Sequence, residues 1–570
     1  MNNAIRIPFL ILLSSLMAAR VFGIDASGKI ALTGTVSSEA EGPMEGVLVT
    51  TKAPNSTISV TVVTDAKGLY KFPASRVAPG AYAISVRAAG YDLGSPSTTE
   101  IVAEKTTTVD LKLVKTKDPA SQLMSAEWLE SVPGSADEKK RLFQCSACHQ
   151  IDQPARSTYD TEGWKTTLNR MLDYWEGPST LSAPVPPPYP PSKVYPPDPV
   201  LIKYLPTINL SGGKTTWPYE LKTLPRPKGE ATKVLITEYD LPRSGSLPHD
   251  AMVDEEGMVW YQDFHRPYLG MLDPRTGKAK EWEMPVLRPG FLPGTQGLQV
   301  DKGGTPWIAR WSQGCIVARF DRKTEKFQTW NIPSEWDPEN RARCGFLAVG
   351  EPGRPVWMVD PQNARIFRLN VETGQFEKFE IWPGYVPKST EYDHYHHGNG
   401  GSGQAHKTYD IAEDSKGNAF ICDISGGAIV EIDAKTGKST SYPIPTPDSG
   451  PRRDYMDPED RLWFGEYYAG KIGMFDTNTK QFKEWAAPIP WSGLYPVKTD
   501  KNGEAWSGGM SSDYVFRLNP KNGEWKLYLL PTWEPEIRGI DVDDFNIKAP
   551  VTVWIPELHR GKLAKVEPLD

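Results

Sequence analysis

The sequence predicts a mostly β protein in three parts: an N-terminal β-sandwich, a small α-helical domain and a C-terminal seven-bladed β-propeller. Glycine and proline number 49 and 52 in 570 residues, which favours short strands joined by tight turns over long helices. Aromatic residues make up 11% of the chain and suit the cores of β-sheets. A unit of about 45 residues repeats through the second half of the chain, as the blades of a propeller do.

Residues 1–23 have the pattern of a secretory signal peptide. Arg6 supplies a positive charge ahead of the apolar run 7–19, which is short for a membrane span, and we expect cleavage near Gly23. No later segment reaches the roughly 18 apolar residues of a spanning helix, so we expect no stable membrane insertion. The formal charge of -7 at pH 7 lacks the excess of positive charge that is typical of proteins that bind nucleic acid. The expected location is periplasmic or secreted.

Residues 29–115 alternate apolar and polar side chains in short runs separated by turns, which predicts an antiparallel β-sandwich. Motifs in these runs, such as Gly68-Leu-Tyr70-Lys-Phe72 and Ala89-Gly90-Tyr91, resemble the carboxypeptidase regulatory-like domain. The resemblance implies a small accessory or docking module that has no chemistry of its own.

Residues 119–215 predict a small helical domain with a proline-rich segment. Ser135 suits the N-cap of a helix that runs toward the cysteine motif, because acidic residues follow in its first turn. A second helix should begin near Asp160, with an apolar stripe on one face formed by Trp164, Leu168, Met171, Leu172 and Trp175. Prolines over 183–199 predict an extended wrap, and 200–205 a short closing helix.

Residues 232–570 contain the repeat. Each unit has a strand ending in Asp, a tight turn, a strand opening with Trp, a third strand, an Asp-x-x-Thr-Gly-Lys turn and an aromatic strand. The first turns align at Asp254, Asp301, Gly350, Asp414, Asp457, Asp500 and Asp543. Seven four-stranded units predict a closed propeller. The last unit lacks its outer strand, which the run from Lys233 to Leu241 is expected to supply.

The sequence Cys145-Ser-Ala-Cys148-His149 has the spacing of covalent c-type haem attachment. Two thiols at this spacing add to the haem vinyl groups, and the adjacent imidazole reaches the iron as its proximal ligand. Two other interpretations stay open. A redox-active dithiol is usually found in a βαβ context, and half of a zinc site needs two further ligands. We therefore expect one covalent haem c, attached to Cys145 and Cys148 and ligated by His149.

The segment 145–171 resembles monohaem cytochrome c domains, in which a Gly-Trp-x6-Met run follows the haem motif. Here the run extends from Gly163-Trp164 to Met171. The resemblance implies that Met171 is the distal iron ligand, which favours electron transfer over oxygen chemistry. Packing in the core is the alternative role for Met171. Met124 and a histidine-rich loop in the propeller are the other candidates for the distal ligand.

The histidine-rich loop is an insertion of about 20 residues before the fourth blade. It holds four of the chain's 8 histidines: His394, His396, His397 and His406. Histidines at this spacing could bind zinc or copper, or form a lid whose charge follows pH. A solvated glycine-rich loop is the simpler interpretation. In neighbouring blades Cys315 and Cys344 could form a disulfide, and Cys422 is expected to be a buried free thiol.

Two rings of residues are expected at the mouth of the propeller channel, because the first strand of each blade begins at the face where the second strand ends. The first ring is His249, Gln296, Gly345, Tyr409, Arg452, Tyr495 and Arg538. The second ring is Asp263, Arg310, Asp360, Asp423, Glu466, Gly509 and Glu557. Candidate acid–base or cation-binding residues in this region are His249, His265, Glu557 and His559. A purely structural ring of charges is the alternative.

The segments 236–242, 443–450 and 462–473 resemble the streptogramin (virginiamycin B) lyase family. The resemblance implies a propeller on which histidines and a glutamate work with magnesium to open a cyclic ester by elimination. Glu557-x-His559 has a similar spacing, whereas Pro451-Arg452-Arg453 departs from the Pro-His pattern of that family.

These observations favour an exported monohaem c-type cytochrome, in which electron transfer is coupled to the oxidation or binding of a small organic substrate on the propeller. A periplasmic redox protein is the expected partner. The second hypothesis is a lyase or lactonase that depends on a divalent cation such as Mg²⁺. The third is a non-catalytic binding protein.

Overall fold

The computed structural model describes residues 28–147, 149–176, 198–289, 293–310, 313–337, 342–350, 352–361, 364–382, 384–385 and 406–569. The predicted signal peptide, Cys148, most of the proline-rich segment and the histidines 394, 396 and 397 lie outside these ranges. The described part is mostly β, with one small helical region.

The N-terminal part is a two-sheet β-sandwich. One sheet has the strand order β2-β1-β10-β7, with β5 and β9 also paired to β1, and the other contains β4-β3-β6-β8. Alternate residues such as Leu32, Val49 and Phe72 meet between the sheets as a buried core. The strands are β1 Ile30–Ser38, β2 Gly42–Pro43, β3 Leu48–Lys52, β4 Ile58–Val63, β5 Leu69–Pro73, β6 Gly80–Arg87, β7 Tyr91–Ser95, β8 Thr98–Ile101, β9 Thr107–Thr108 and β10 Leu111–Lys115.

The helical part follows directly. Its helices are α1 Ser125–Ser131, α2 Ala136–Phe143, α3 Asp152–Arg156, α4 Thr161–Glu176 and α5 Pro199–Ile208. Ser135 caps α2 as expected, and its hydroxyl oxygen accepts a hydrogen bond from the backbone amide of Glu138. Trp164 and Leu168 on α4 are buried in the core of this part. The closing helix α5 extends three residues beyond its predicted end at Leu205.

The C-terminal part is a β-propeller, with seven blades in the described residues. Six blades use four consecutive strands. These are β12 Pro248–Val253, β13 Val259–Asp263, β14 Tyr268–Asp273, β15 Lys278–Glu283; β16 Gly297–Val300, β17 Pro306–Ala309, β18 Ile316–Asp321, β19 Lys326–Asn331; β20 Phe346–Val349, β21 Val356–Asp360, β22 Arg365–Leu369, β23 Phe376–Glu380; β24 Thr408–Glu413, β25 Ala419–Asp423, β26 Ala428–Ile432, β27 Ser439–Pro443; β28 Pro451–Met456, β29 Arg461–Glu466, β30 Lys471–Asp476, β31 Gln481–Ala486; and β32 Leu494–Thr499, β33 Ala505–Gly509, β34 Tyr514–Asn519, β35 Glu524–Leu529.

Blade seven closes the ring with the strand that comes first in the chain. It consists of β36 Asp541–Asp543, β37 Thr552–Glu557, β38 Lys562–Pro568 and β11 Val234–Asp240. Strand β11 pairs with β38 over its whole length, which is the predicted closure. The inner strands of blades one and seven, β12 and β36, are in contact, so the ring is complete.

The repeated Asp and Trp of the blades act together. Asp500 accepts hydrogen bonds from the backbone amides of Asn502 and Glu504, and its second oxygen accepts one from Nε1 of Trp506 at 2.8 Å. Equivalent Asp–Trp pairs in other blades are Asp254–Trp260, Asp301–Trp307 and Asp457–Trp463. One carboxylate therefore shapes the turn and fixes the first large side chain of the next strand.

The sandwich is joined to the propeller by backbone pairing. Strand β4 pairs antiparallel with β11, so blade seven and one sandwich sheet form a continuous eight-stranded sheet. Arg87 strengthens this junction, since its buried guanidinium bonds Asp513 and two backbone carbonyl oxygens of the loop after β35. The sandwich thus covers the outer edge that blade seven would otherwise expose.

The described cysteines of the propeller behave as expected. Cys315 and Cys344 form a disulfide, and the Cys422 thiol is free and buried. Burial, together with the neighbouring Asp454 and Asp410, raises the pKa of Cys422, so this thiol is unreactive at neutral pH. Among the helices in the ranges given above, none is long and apolar enough to cross a membrane.

Candidate functional site

Both predicted rings lie at one face of the propeller, which we call the mouth. The strand registers place the start of each first strand opposite the end of the second, as in the pairs Pro248 with Asp263, Thr408 with Asp423, Pro451 with Glu466 and Leu494 with Gly509. Ring residues from different blades meet there. The hydroxyl oxygens of Tyr409 in blade four and Tyr495 in blade six are 2.5 Å apart.

His249 is fully buried in the first ring. Its imidazole lies beside two phenyl rings, with centroid distances of 5.1 Å to Phe264 and 6.1 Å to Phe346. Nδ1 is 3.4 Å from Oδ1 of Asp250, and neither ring nitrogen has a hydrogen-bond partner among the residues that the structure describes. Burial lowers the pKa of His249 more than Asp250 raises it, so the imidazole is neutral at pH 7.

His559 pairs with Glu536, a residue that the sequence analysis did not single out. Nε2 of His559 is 2.7 Å from Oε2 of Glu536, and the other carboxylate oxygen bonds the guanidinium of Arg538. Burial alone raises the pKa of Glu536, but Arg538 and His559 outweigh burial and bring it to about 2. Glu536 lies two residues before the ring position Arg538, outside the repeat alignment, which explains why the spacing missed it.

His265 of blade one and His559 of blade seven lie close enough for their charges to interact. Burial lowers the pKa of His265 to about 4, and Arg538 and His559 add to the effect. The backbone amide of His265 is held by Oδ1 of Asp263 at 2.9 Å. At pH 7 His265 is therefore a neutral imidazole beside the ionised pair of Glu536 and Arg538.

Glu557 takes part in a separate cluster. Its buried carboxyl interacts with Glu238 on β11 and with Lys562 on β38, whereas the partner of His559 is Glu536. Burial and the neighbouring Glu238 raise the pKa of Glu557 well above its usual range. This environment favours the protonated form of Glu557. The structure thus brings His265 and His559 together and gives Glu557 a different set of partners.

The cysteine motif lies against the mouth. Its first residues, Gln144–Ala147, form a 3₁₀ turn at the end of α2. His149 follows, and its charge interacts with those of Glu536 and His559. Nδ1 of His149 is 3.0 Å from the carbonyl oxygen of Gln150. Because a carbonyl oxygen only accepts, Nδ1 carries the proton and Nε2 keeps its lone pair.

The predicted distal ligand borders the hydrophobic core of the helical part. Met171 on α4 is partly buried and packs against the same hydrophobic cluster as Cys145. Trp164 and Leu168 come from the same face of α4, two turns and one turn before Met171. The alternative candidate, Met124, is buried in a different cluster, between the propeller and the start of α1. Of the two methionines, Met171 is the one that shares a cluster with the motif.

The helical part and the propeller form a continuous interface around the motif. Phe143 stacks on Tyr467 of blade five with a centroid distance of 4.9 Å. Ser146, inside the motif, is within hydrogen-bond distance of the hydroxyl of Tyr467 at 3.0 Å and accepts from Ser511 at 2.8 Å. The hydroxyl of Tyr468 donates to Oε1 of Gln144. The motif is therefore held by side chains of blades five and six.

Of the histidine-rich insertion, His406 alone falls in the described ranges; His394, His396 and His397 lie outside them. Nδ1 of His406 is 2.7 Å from Oδ2 of the buried Asp423, and its ring stacks on Trp382 at 4.2 Å. This arrangement orients the imidazole. In the described segments no group of three or more His, Cys, Asp or Glu residues is arranged to hold a metal ion.

A sequence model of one known family matches part of the chain: the carboxypeptidase regulatory-like domain family, over residues 31–114. The N-terminal sandwich is a carboxypeptidase regulatory-like domain. The match agrees with its boundaries in the structure, β1 to β10, and we call it the regulatory-like domain below. No curated protein matches the chain.

Solved structures similar to the chain are propellers. Virginiamycin B lyase from Staphylococcus aureus is 19% identical and covers 59% of this chain and 99% of its own, with a TM-score of 0.48. A streptogramin B lyase is 20% identical over 60% of this chain and 99% of its own, with a TM-score of 0.48. The Cps50 (Swd1) propeller domain of Myceliophteria thermophila is 13% identical over 58% of this chain and 99% of its own, with a TM-score of 0.44.

Proposed function

We propose that the protein is an exported c-type cytochrome that carries one haem on Cys145 and Cys148 and exchanges electrons at the mouth of its propeller. The observation that carries the proposal is the orientation of His149. Its Nδ1–H is bonded to the carbonyl oxygen of Gln150, which leaves Nε2 as the nitrogen able to ligate iron. Backbone bonding of the second ring nitrogen is the usual way in which a protein fixes a ligating histidine.

The donor chemistry around the motif fits such a group. Cys145 and Met171 pack against one hydrophobic cluster, so a thiol and a thioether both border the core of the helical part that carries the motif. A bound haem supplies one-electron exchange at its iron. The chain's own residues hold the ligands in place: Gln150 orients His149, and α4 presents Met171 from its apolar face. Tyr467 anchors the motif through Ser146.

The environment also supports an exported protein. The Cys315–Cys344 disulfide belongs to an oxidising compartment, which agrees with the signal-peptide pattern of residues 1–23. We propose that a periplasmic redox protein exchanges electrons with this chain, and that the propeller mouth receives a small organic molecule.

The proposal is tested on the full chain, produced together with a c-type maturation system. We expect c-type bands in the reduced-minus-oxidised spectrum, and haem that stays on the chain after denaturation. Replacing Cys145 and Cys148 by Ala should abolish covalent haem, while Cys422→Ser is the matched control that keeps it. Met171→Leu should remove the weak near-infrared band of methionine-ligated ferric iron. A native protein without covalent haem contradicts the proposal.

The Glu536–His559 pair favours a second candidate, acid–base chemistry on a molecule bound at the mouth. A carboxylate beside a histidine can hold the imidazole for proton transfer, with or without a divalent cation such as Mg²⁺. Ring opening of a cyclic ester that depends on His559, is lost on chelation and is indifferent to haem oxidation state would support it. Turnover unchanged in His559→Gln contradicts it.

A further inference from the structure

Two adjacent arginines on β28 have very different surroundings. Arg453 bonds Asp250 and Asp410, each at 2.7 Å, and is fully paired. Arg452 is also buried, with 8% of its surface exposed, yet no carboxylate of the described chain lies within ion-pair distance of it. Its contacts are a long hydrogen bond of 3.4 Å to the hydroxyl of Tyr468 and one of 3.8 Å to Sδ of Met510, and Nε has no partner.

Aromatic rings surround the Arg452 guanidinium instead. The central carbon is 3.9 Å from the ring centroid of Tyr467, and further ring centroids lie within 6 Å, those of Tyr495, Tyr409 and Tyr468. Cation–π contacts stabilise the buried guanidinium, but they do not replace the hydrogen bonds to water that its N–H groups lose on burial. The rings therefore offset only part of the cost, and the guanidinium keeps unused donors for an anion.

The charge and the location of this pocket indicate its ligand. One guanidinium neutralises a single negative charge, and its planar fork matches the two oxygens of a carboxylate. Tyr467 and Tyr468 bond Ser146 and Gln144, so the pocket adjoins the cysteine motif. Two kinds of molecule would bring a carboxylate to this place. One is the haem proposed above, through a propionate, and the other is a free organic acid that reaches the mouth of the propeller.

We propose that Arg452, with Tyr409, Tyr467, Tyr468 and Tyr495, forms a carboxylate-binding pocket between the propeller and the cysteine motif. In this pocket the guanidinium makes a two-point contact with the carboxylate, and the tyrosine rings exclude water around it. Arg453, the next residue along the strand, takes no part in this pocket, because its ion pairs with Asp250 and Asp410 hold its guanidinium elsewhere. The haem source of the carboxylate rests on the proposed function, whereas the free-acid source does not.

The first arm of the test uses binding of acetate and benzoate to the full chain, measured by calorimetry with benzamide as the neutral control. If a free acid is the ligand, one of the two carboxylates binds, benzamide does not, and Arg452→Gln weakens binding about tenfold or more. Arg452→Lys keeps the positive charge but lacks the planar guanidinium that contacts both carboxylate oxygens, and it should bind more tightly than Arg452→Gln and less tightly than the native chain. Arg275→Gln, on an exposed turn of blade one, is the matched control and should bind as the native chain does.

The second arm uses the haem-loaded chain in the absence of added acid. If a propionate is the ligand, neither acid binds, and Arg452→Gln lowers the reduction potential because a positive charge near the iron has been removed. The pH dependence of that potential also moves to higher pH, since the carboxyl group loses its cation. If the chain produced with the maturation system carries no covalent haem and still binds benzoate through Arg452, the pocket is supported and the proposed haem function is contradicted. No carboxylate binding together with an unchanged potential in Arg452→Gln overturns the pocket.

Discussion

At the scale of single residues, the buried arginines that the structure describes at the mouth differ in whether a carboxylate faces them. Arg538 is balanced by Glu536 and Arg453 by Asp250 and Asp410, whereas Arg452 faces tyrosine rings. Arg452 and Arg453 lie where the pairing of β28 with β29 shifts its register, between Pro451 and Asp454, and their side chains reach different neighbours. The same strand therefore contributes one arginine to the stability of the ring and another to the surface that faces the helical part.

The buried histidines predict a pH dependence of stability. Burial, Arg538 and His559 hold the pKa of His265 at about 4, below its value of about 6.5 in an unfolded chain. Below pH 6.5 the unfolded chain binds more protons than the folded one, so stability falls as the pH falls toward 4. Between pH 7 and pH 5 the loss from this residue is about 2 kcal/mol.

Denaturant unfolding of the native protein and of His265→Asn at pH 7 and pH 5 measures this effect. The variant should lose less stability than the native protein over that interval. Curves that fall by the same amount for both proteins would show that His265 does not carry the dependence.

Spacing identified some of the mouth residues, and its limits have a physical reason. His249, Arg452 and Arg538 occupy equivalent positions of the repeat, so alignment alone places them at the start of the inner strands. Glu536 lies in a connection between blades, where no period holds, and its role follows from two charges that only the folded ring brings near it. The partner of Glu557 is Glu238, whose distance along the chain hides the pairing.

At the scale of elements, the Asp turn between the first two strands of a blade is the unit that the sequence predicts best. The Asp–x5–Trp pattern is legible because one carboxylate serves both neighbouring amides and the indole. Blade four has Phe420 at the position of the Trp, and Nδ2 of Asn418 in the turn itself donates to Oδ2 of Asp414 instead. The pattern therefore survives a change of partner as long as the carboxylate remains.

Asp500→Ala should destabilise the protein by roughly 2 to 4 kcal/mol, because two backbone amides and the buried indole of Trp506 lose their acceptor. Asp476→Ala is the matched control. Asp476 also accepts from two backbone amides, but on an exposed outer turn where water replaces it, so we expect a loss below about 1 kcal/mol. Denaturant unfolding measures both variants. Equal losses would show that the indole bond and its burial contribute little.

The pairing of β4 with β11 illustrates what the elements alone do not reveal. The sequence predicts β11 as the outer strand of blade seven and β4 as a strand of the sandwich. The structure confirms both positions, and it also pairs the two strands with each other. Their mutual pairing uses backbone groups, which carry no residue-specific pattern. The side chains reflect this pairing only at single positions. Leu235 on β11, for example, belongs to the core of the regulatory-like domain.

At the scale of the whole molecule, the three parts form one body. The regulatory-like domain continues the sheet of blade seven, the helical part packs on blades five and six, and the cysteine motif lies between the helical part and the mouth. A domain that is fixed by backbone pairing and by a buried ion pair has little freedom to move on its own. This arrangement sets a constant distance between the cysteine motif and the propeller mouth, which the proposed electron exchange would use.

Calorimetry of the native chain and of an Arg87 variant tests whether the regulatory-like domain and the propeller unfold together. The native chain should unfold in a single thermal transition, because β11 belongs both to blade seven and to the sheet that continues into the regulatory-like domain. Arg87→Met leaves Asp513 buried without its cation, which costs about 3 to 5 kcal/mol, and removes the contact with Trp533. We expect a lower Tm and a separate early transition for the regulatory-like domain.

The matched control is Arg76→Met. It breaks a more exposed pair with Glu567 and should shift Tm much less, because water screens that pair. Two transitions in the native chain would instead mean that the continuous sheet does not couple the two parts, and that the regulatory-like domain is tethered rather than built in.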